Sequence, residues 1–423
     1  MTSAYNKTAD FFKTTFRALQ YRNFRLFWFG QCISLTGTWM QRTAQTWLVY
    51  TLTNSPMLVG IVGVCQFMPM LLFSLFAGVL VDRFSKKQLL ILTQLLFLFQ
   101  AVLMTLLTYT RQIQYWHILL LSCLFGFTQT LDMPARQSFF IELVGQENLT
   151  NAISLNSTIV NLARIAGPAL SGFVMVKFGP VYCFFINAVS FIPVIAGICL
   201  IRVEKPHSHR SVTAHLFSGI MNGIQYIRQN DTLILNVLLT AAVCTFAMNV
   251  DVIIPVFAKE VLGLGADGYT ALAAASGCGA FIAAVFMAYF SKFGLKKSLL
   301  IFSGIFTAII QIFTLFAHQY LVSLIMVAII GFFNLIFMNL ANSIFQLNST
   351  NEYRGRVMSV YAFLNMGSTP IGNFLAGLIM ERFGGGAGFV FCGTVTALLL
   401  AVILAVRRKT ALNWLPKKRR PVG

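Results

Sequence analysis

Charge is scarce in this chain, and acid is the scarcer kind. Charged residues make up 10% of the 423 positions, with 12 Asp and Glu against 31 Lys and Arg. A soluble domain carries about 25% charge. The shortage excludes an ordinary water-facing surface and makes any acid inside an apolar run worth following. The 8 cysteines show no CxxC spacing and lie in apolar segments. They read as small hydrophobes, with no disulfide framework or metal site expected. The 5 histidines have no ligand spacing. No glycine-rich phosphate loop is present, which disfavours ATP as a direct energy source. No metal, no cofactor and no enzymatic chemistry is expected.

What the chain has is apolar length. Hydrophobic residues are 57% of it and mean hydropathy is +0.76. Apolar stretches of about 20 residues can cross a bilayer, and a helix satisfies its own backbone there. Twelve spans are predicted, at 24–50, 57–81, 89–110, 116–140, 151–176, 181–201, 232–258, 268–290, 298–317, 320–346, 356–381 and 386–406. The first is too long for a signal peptide and lacks a small-residue cleavage site, so it reads as retained. The bases assign sides. Only Arg111, Lys177, Lys259 and Arg382 fall in the loops of one side, and only Arg42 and Arg164 lie well inside spans. The rest gather on the side of both termini, which the positive-inside rule makes cytoplasmic. The net charge of +19 then follows from topology. The basic tail RRKTALNWLPKKRR reads as attracted to anionic lipid, with no nucleic-acid partner.

The chain also repeats itself. At a shift of about 205 residues, GPALSGFVMVKFG (167–179) lies over GNFLAGLIMERFG (372–384). Gly126-Phe127 likewise meets Gly331-Phe332. The block GVLVDRFSKK (78–87) has a blurred copy, MAYFSKFGLKK, at 287–297. Two six-span halves follow, and parallel halves around a midplane site are a transporter architecture. The domains are expected at 24–201 and 232–406. They are flanked by a cytoplasmic segment 1–23, a connector 202–231 and a basic tail 407–423. The apolar positions of 211–229 predict a connector helix lying on the membrane surface.

GVLVDRFSKK resembles the loop 2–3 signature of the major facilitator superfamily, on Gly78, Asp82, Arg83, Lys86 and Lys87. Ser85 stands where that family usually has Gly, and the second copy lacks the acid. Gly167, Pro168 and Gly172 resemble the fifth-span motif of its antiporter-type members. LTNSP (52–56), DMPARQ (132–137) and YRGRVMSV (353–360) are similar to the enterobactin-exporter-like branch, the transmembrane secretion effectors. The resemblance implies an all-α membrane protein of twelve transmembrane helices in two pseudo-symmetric six-helix bundles. It also implies alternating access, with a small-molecule substrate and protons as the coupling ion. It would sit as a monomer in the cytoplasmic membrane. An importer or uniporter, or a receptor without flux, shares the fold and stays open.

Candidate residues follow from both readings. Resemblance sets Asp82 against the start of span eleven, where Arg354 and Arg356 lie, as a cytoplasmic gate. Within spans, Gln31, Thr38, Gln41 and Gln45 recur at helical spacing in span one. Asn236 and Thr240 share a face with Asp251 in span seven, as do Asn161 with Arg164 and Tyr361 with Asn365 in spans five and eleven. With Trp39 these are candidates for a substrate cavity, although uncharged amides on spans often only join helices. Asp132, Arg136 and Arg164 are the proton-coupling candidates, because a charge at bilayer depth is expensive and wants a partner. Asp132 and Arg136, four apart, can also pair along one helix. At a shift of 209, Arg42 lands on Asp251, and the two are expected to pair as a periplasmic gate.

Overall fold

The computed structural model describes residues 17–202, 223–290 and 297–414. The side chains of 74, 75, 78, 79, 82, 351 and 352 lie outside that description. Most of the expected connector helix, and most of the second copy of the loop motif, also fall outside the described residues.

Every regular element among the described residues is helical. The first half holds α1 (Arg22–Thr53), α2 (Pro56–Arg83), α3 (Lys86–Tyr109), α4 (Tyr115–Val144), α5 (Leu149–Phe178) and α6 (Pro180–Leu200). The second holds α7 (Asp231–Ala242), α8 (Val250–Glu260), α9 (Ala266–Phe290), α10 (Lys297–Phe313) and α11 (Tyr320–Leu347). It closes with α12 (Asn351–Ala362), α13 (Thr369–Phe383), α14 (Ala387–Val406) and the short α15 (Arg408–Trp414). Span seven is α7 and α8 around a π turn at Val243–Ala247. Span eleven is α12 and α13 around another at Phe363–Gly367. Ten of the helical runs among the described residues are long and apolar enough to cross a membrane. The first and eleventh predicted spans are not among them.

Local sequence explains the boundaries. Ser55 caps α2, its Oγ accepting from Leu58 N at 3.2 Å, and Pro56 follows at a position where a missing N–H costs nothing. Asn230 caps α7 by accepting from Thr232 N and Leu233 N. α5 and α13 both end on a glycine with positive φ, Gly179 at 92° and Gly384 at 86°. A side chain strains that conformation. These two glycines are 205 residues apart, so the sequence repeat recurs in backbone conformation.

By contact the chain groups into two compact units. The first is Met1–Gln45 with Leu72–Val212, and the second is Thr46–Leu71 with Thr213–Gly423. The grouping cuts through α1 and α2, whose adjoining ends at Thr46–Leu71 belong to the second unit.

In the first unit α3 packs between α4 and α6. Its core is aromatic, with Phe27 edge-on to Phe139 at 5.9 Å and Phe97 stacked on Phe191 at 5.8 Å. In the second unit α9 lies against α11, and α10 against α11 and α14. The α9–α11 approach is backbone to backbone. A Cβ on Gly279 would collide with the Ala328 carbonyl, and one on Gly331 with that of Ser276. Small residues at such seams let helices close up where lipid supplies no hydrophobic drive.

Candidate functional site

The fifth-span glycine marks a helix crossing. A Cβ on Gly167 would collide with Trp39 Cβ and lie 3.0 Å from Met40 N, so α5 and α1 meet there. Its repeat equivalent, Gly372 on α13, does the same in the second unit, where a Cβ would collide with the Thr245 carbonyl in the π turn of span seven. Pro168 and Gly172 are buried beside Gly167.

Asp132 is the buried acid of the first unit, 3% exposed on α4. Its Oδ1 accepts from Thr93 Oγ1 and Gln94 Nε2, each at 2.8 Å. Its Oδ2 accepts from Arg136 Nε at 3.0 Å and also from the Arg136 Nη2. Arg136 in turn donates to Gln31 Oε1. The carboxylate is thus held by four donors from two helices, and a buried charge needs such pairing to persist. The sequence anticipated the pair but not Thr93, Gln94 or the part of Gln31.

The span-one amides sit in helix seams. Gln41 Nε2 donates to Gln100 Oε1 at 2.8 Å, while its Oε1 accepts from Asn187 Nδ2 at 2.7 Å. Gln45 Nε2 donates to Ser122 Oγ at 2.9 Å. These buried bonds tie α1 to α3, α4 and α6. In the second unit Asn236 Nδ2 donates to the Ala341 carbonyl at 3.0 Å, Thr240 is fully buried, and Tyr361 OH donates to the Met338 carbonyl at 3.4 Å. Thr38, Trp39, Asn161 and Asn365 keep partial exposure. Arg42 and Arg164 flank Trp39, with guanidinium carbons 5.2 and 5.4 Å from its ring centre. Asp251 is exposed in the first turn of α8.

The DRFSKK block has one role in plain view. Lys87 Nζ donates to the carbonyls of Cys199 and Ile201, at 3.0 and 2.7 Å, and so satisfies the C-terminal end of α6. Arg83 is exposed, and Lys86 is half-buried. The Asp82 side chain lies outside the described residues. Arg354 reaches the Ser349 carbonyl at 3.4 Å, and Arg356 lies 5.1 Å over the Tyr353 ring.

The sequence missed a latch in the second unit. Tyr50 OH donates to Glu260 Oε1 at 2.5 Å, and Glu260 Oε2 accepts from Gly385 N at 2.6 Å. Lys259 donates to Asn54 Oδ1 at 2.8 Å and lies 4.9 Å over the Tyr50 ring. Glu381 Oε2 accepts from Ser55 Oγ at 2.7 Å and from Met57 N at 3.2 Å, on the positive end of α2. Trp47 stacks on Tyr269 at 5.4 Å. The α1–α2 turn, which carries the LTNSP motif, is thereby fastened to the ends of α8 and α13. The signal available was the rarity of acid: Glu260 and Glu381 both stand at span ends.

These features match a known family over the length of the chain, for the profile of the transmembrane secretion effectors fits residues 13–417. The chain belongs to that family. It is a multi-pass membrane transporter of the major facilitator type that acts on small molecules, and it is not an enzyme. Among curated relatives it is 23% identical over 399 residues to the staphyloferrin A transporter of Staphylococcus aureus, covering 92% of this chain and 97% of that one. It is 22% identical over 391 residues to macrolide efflux protein A of Streptococcus pyogenes, covering 89% and 95%. It is 24% identical over 381 residues to the multidrug efflux pump Tap of Mycolicibacterium fortuitum, covering 88% and 92%. Solved structures share the fold. A bacterial homologue of the lysosomal transporter Spinster superposes with TM-score 0.69 at 13% identity, covering 94% of this chain and 99% of that chain. A nucleoside transporter gives TM-score 0.71 at 13% identity, covering 92% and 98%. The all-α transporter fold expected from the sequence is the observed one.

Proposed function

We propose that this secretion effector is a proton-coupled exporter. It moves a siderophore or drug-like amphiphile out of the cell by alternating access, in exchange for protons. It works as a monomer in the cytoplasmic membrane with both termini inside, its two six-helix bundles at 24–201 and 232–406. The observation that carries the reading is the buried Asp132, whose ionised form is held by Arg136, Thr93 and Gln94. A proton arriving at Oδ2 removes the reason for Arg136 to stay, and releasing a buried guanidinium is a packing event that can bias two conformations. The relatives' efflux of a macrolide and of several drugs supports the outward direction.

The gates complete the cycle. The cytoplasmic gate we propose is Asp82 with Arg354 and Arg356, as the family resemblance implies. On the outer side the Tyr50, Asn54 and Ser55 latch holds, and Arg42 pairs with Asp251 when the mouth closes. The remaining polar side chains, Thr38, Asn161 and Asn365 among them, line the path. The test is flux in proteoliposomes with a pH gradient imposed in either sense. Export should run against the substrate gradient only when protons flow the opposite way. Equal flux under both gradients, or accumulation in the direction of the protons, would refute exchange.

A further inference from the structure

Span seven changes helix type at Val243–Ala247, and three carbonyls of that wide turn are held by side-chain amides. Asn249 Nδ2 donates back to the carbonyls of Thr245 and Phe246, at 2.7 and 3.0 Å. The next carbonyl, that of Ala247, has two amides aimed at it. Gln311 Nε2 on α10 donates at 2.8 Å, and Asn334 Nδ2 on α11 reaches it at 3.5 Å. The first is an ordinary hydrogen bond and the second is stretched to the limit of one. Single π turns inside helices recur at functional sites.

The two amides come from separately seated helices. Gln311 is fully buried. It lies one turn beyond Ala308, whose carbonyl would collide with a Cβ on Gly393 of α14. Asn334 is partly exposed. It lies one turn beyond Gly331, whose missing Cβ seats α11 against Ser276 of α9. Neither amide has a second anchor. Gln311 Oε1 and Asn334 Oδ1 are buried with no hydrogen-bond partner among the described residues. A bare acceptor in the interior is expensive, so an amide is a poor choice for packing alone. What it adds is a donor edge for a carbonyl that moves.

We infer that Gln311 and Asn334 are positioning residues for the transport step, and that the Ala247 carbonyl passes from one to the other as span seven bends. Gln311 holds it in this structure, and Asn334 holds it in the alternate state. A carbonyl within good reach of one donor at a time makes a bistable joint, and each donor biases it by the worth of its own bond. This rests on alternating access, as the exporter reading does, but not on protons as the driving ion.

The test is hydrogen–deuterium exchange of the full-length protein in lipid nanodiscs. It is read on peptides from the α1–α2 turn, where Met57 N is bonded to Glu381. Gln311→Leu and Asn334→Leu nearly keep the side-chain volume and remove a bare oxygen, so neither threatens the fold. A merely structural role would raise uptake in both. The hand-over requires opposite senses. Gln311→Leu should move the two-state ratio away from this structure about fivefold, the net worth of one hydrogen bond, and raise uptake. Asn334→Leu should move it the other way by a similar factor and lower uptake. Asn334→Gln, whose longer arm brings its donor to the carbonyl, should follow Gln311→Leu. Shifts of the same sense in the two Leu variants, no shift in either, or Asn334→Gln following Asn334→Leu overturns the assignment. Vesicle flux under the two pH gradients separates the readings. Opposite shifts with flux indifferent to the gradient leave the joint standing and remove proton exchange. Gradient-driven export with shifts of the same sense does the reverse.

Discussion

Asp132→Asn removes one charge from a pair that is almost wholly out of water. The Asp132 side chain is 4% exposed and that of Arg136 15%. Breaking a buried pair by removing one partner costs about 3–5 kcal/mol, because the other charge stays behind uncompensated. The lower end applies here, since Arg136 keeps Gln31 as an acceptor and has some access to solvent. An amide at 132 also turns an acceptor toward a donor, facing its NH2 to one of the groups that now donate. We expect Asp132→Asn and Arg136→Gln each to destabilise by about 3 kcal/mol. That is an apparent unfolding temperature lower by roughly 6–12 °C, at about 2–4 °C per kcal/mol for a unit of this size. The double variant should cost clearly less than the two singles together, with a coupling of about 1–3 kcal/mol. Thermal unfolding of the four proteins in one detergent gives the cycle. Additive losses would refute the pairing as an energetic unit. Flux in the same vesicles separates stability from coupling. Asp132→Asn that is stable enough to bind substrate, yet still exports fully against a gradient, would remove Asp132 from the proton path.

Alanine at Gly372 should be worse than alanine at Gly167. A Cβ at 372 would lie closer to the Thr245 carbonyl oxygen than one at 167 would lie to Trp39 Cβ, so both must shift backbone and the first must shift it further, and overpacking costs about 1–3 kcal/mol or more; equal unfolding temperatures would contradict the crossing described. Tyr50→Phe removes a donor from Glu260, and labelling of a cysteine placed at Asn54 by a membrane-impermeant maleimide should rise; unchanged labelling would dismiss the latch as a gate. Arg42→Asp and Asp251→Arg should each impair transport, with partial recovery in the double swap. Additive losses there would dissociate the two residues.

Much of the architecture was legible because its causes are local. Span positions follow from apolar length, and the Asp132–Arg136 pair from a spacing of four. The faces of the spans were less legible, for an identifiable reason. Read as continuous α-helix, Asn236, Thr240 and Asp251 share a face. The π turn at Val243–Ala247 is wider than an α turn by a residue, which rotates everything beyond it by about 100°. Asn236 and Thr240 are buried while Asp251 is exposed. The turn at Phe363–Gly367 separates Tyr361 from the outer part of span eleven in the same way. The seam role of Gln41 and Gln45 stood as one of two readings and could not be chosen, because their partners, Gln100, Asn187 and Ser122, lie on other helices. The latch escaped because its acids looked like ordinary loop termini.

The glycine crossings bear on how the molecule can move. Where Gly167 meets Trp39 and Gly372 meets Thr245, main chain lies almost on main chain, and no rotamer is free to absorb a slip. A sliding step of part of a turn would drive a Cβ or a carbonyl into its neighbour. Spans one and five therefore travel as one lever in the first unit, and seven and eleven as another in the second. The give must come from somewhere softer. Among the described residues the π turns within spans lie in the second unit, while span five of the first unit carries Pro168 beside its crossing, and a proline inside a helix removes a backbone hydrogen bond. The two levers are thus differently jointed, one at a proline next to its crossing and the other at a pair of π turns. Descent from a duplicated half has left a machine whose two sides bend by different devices.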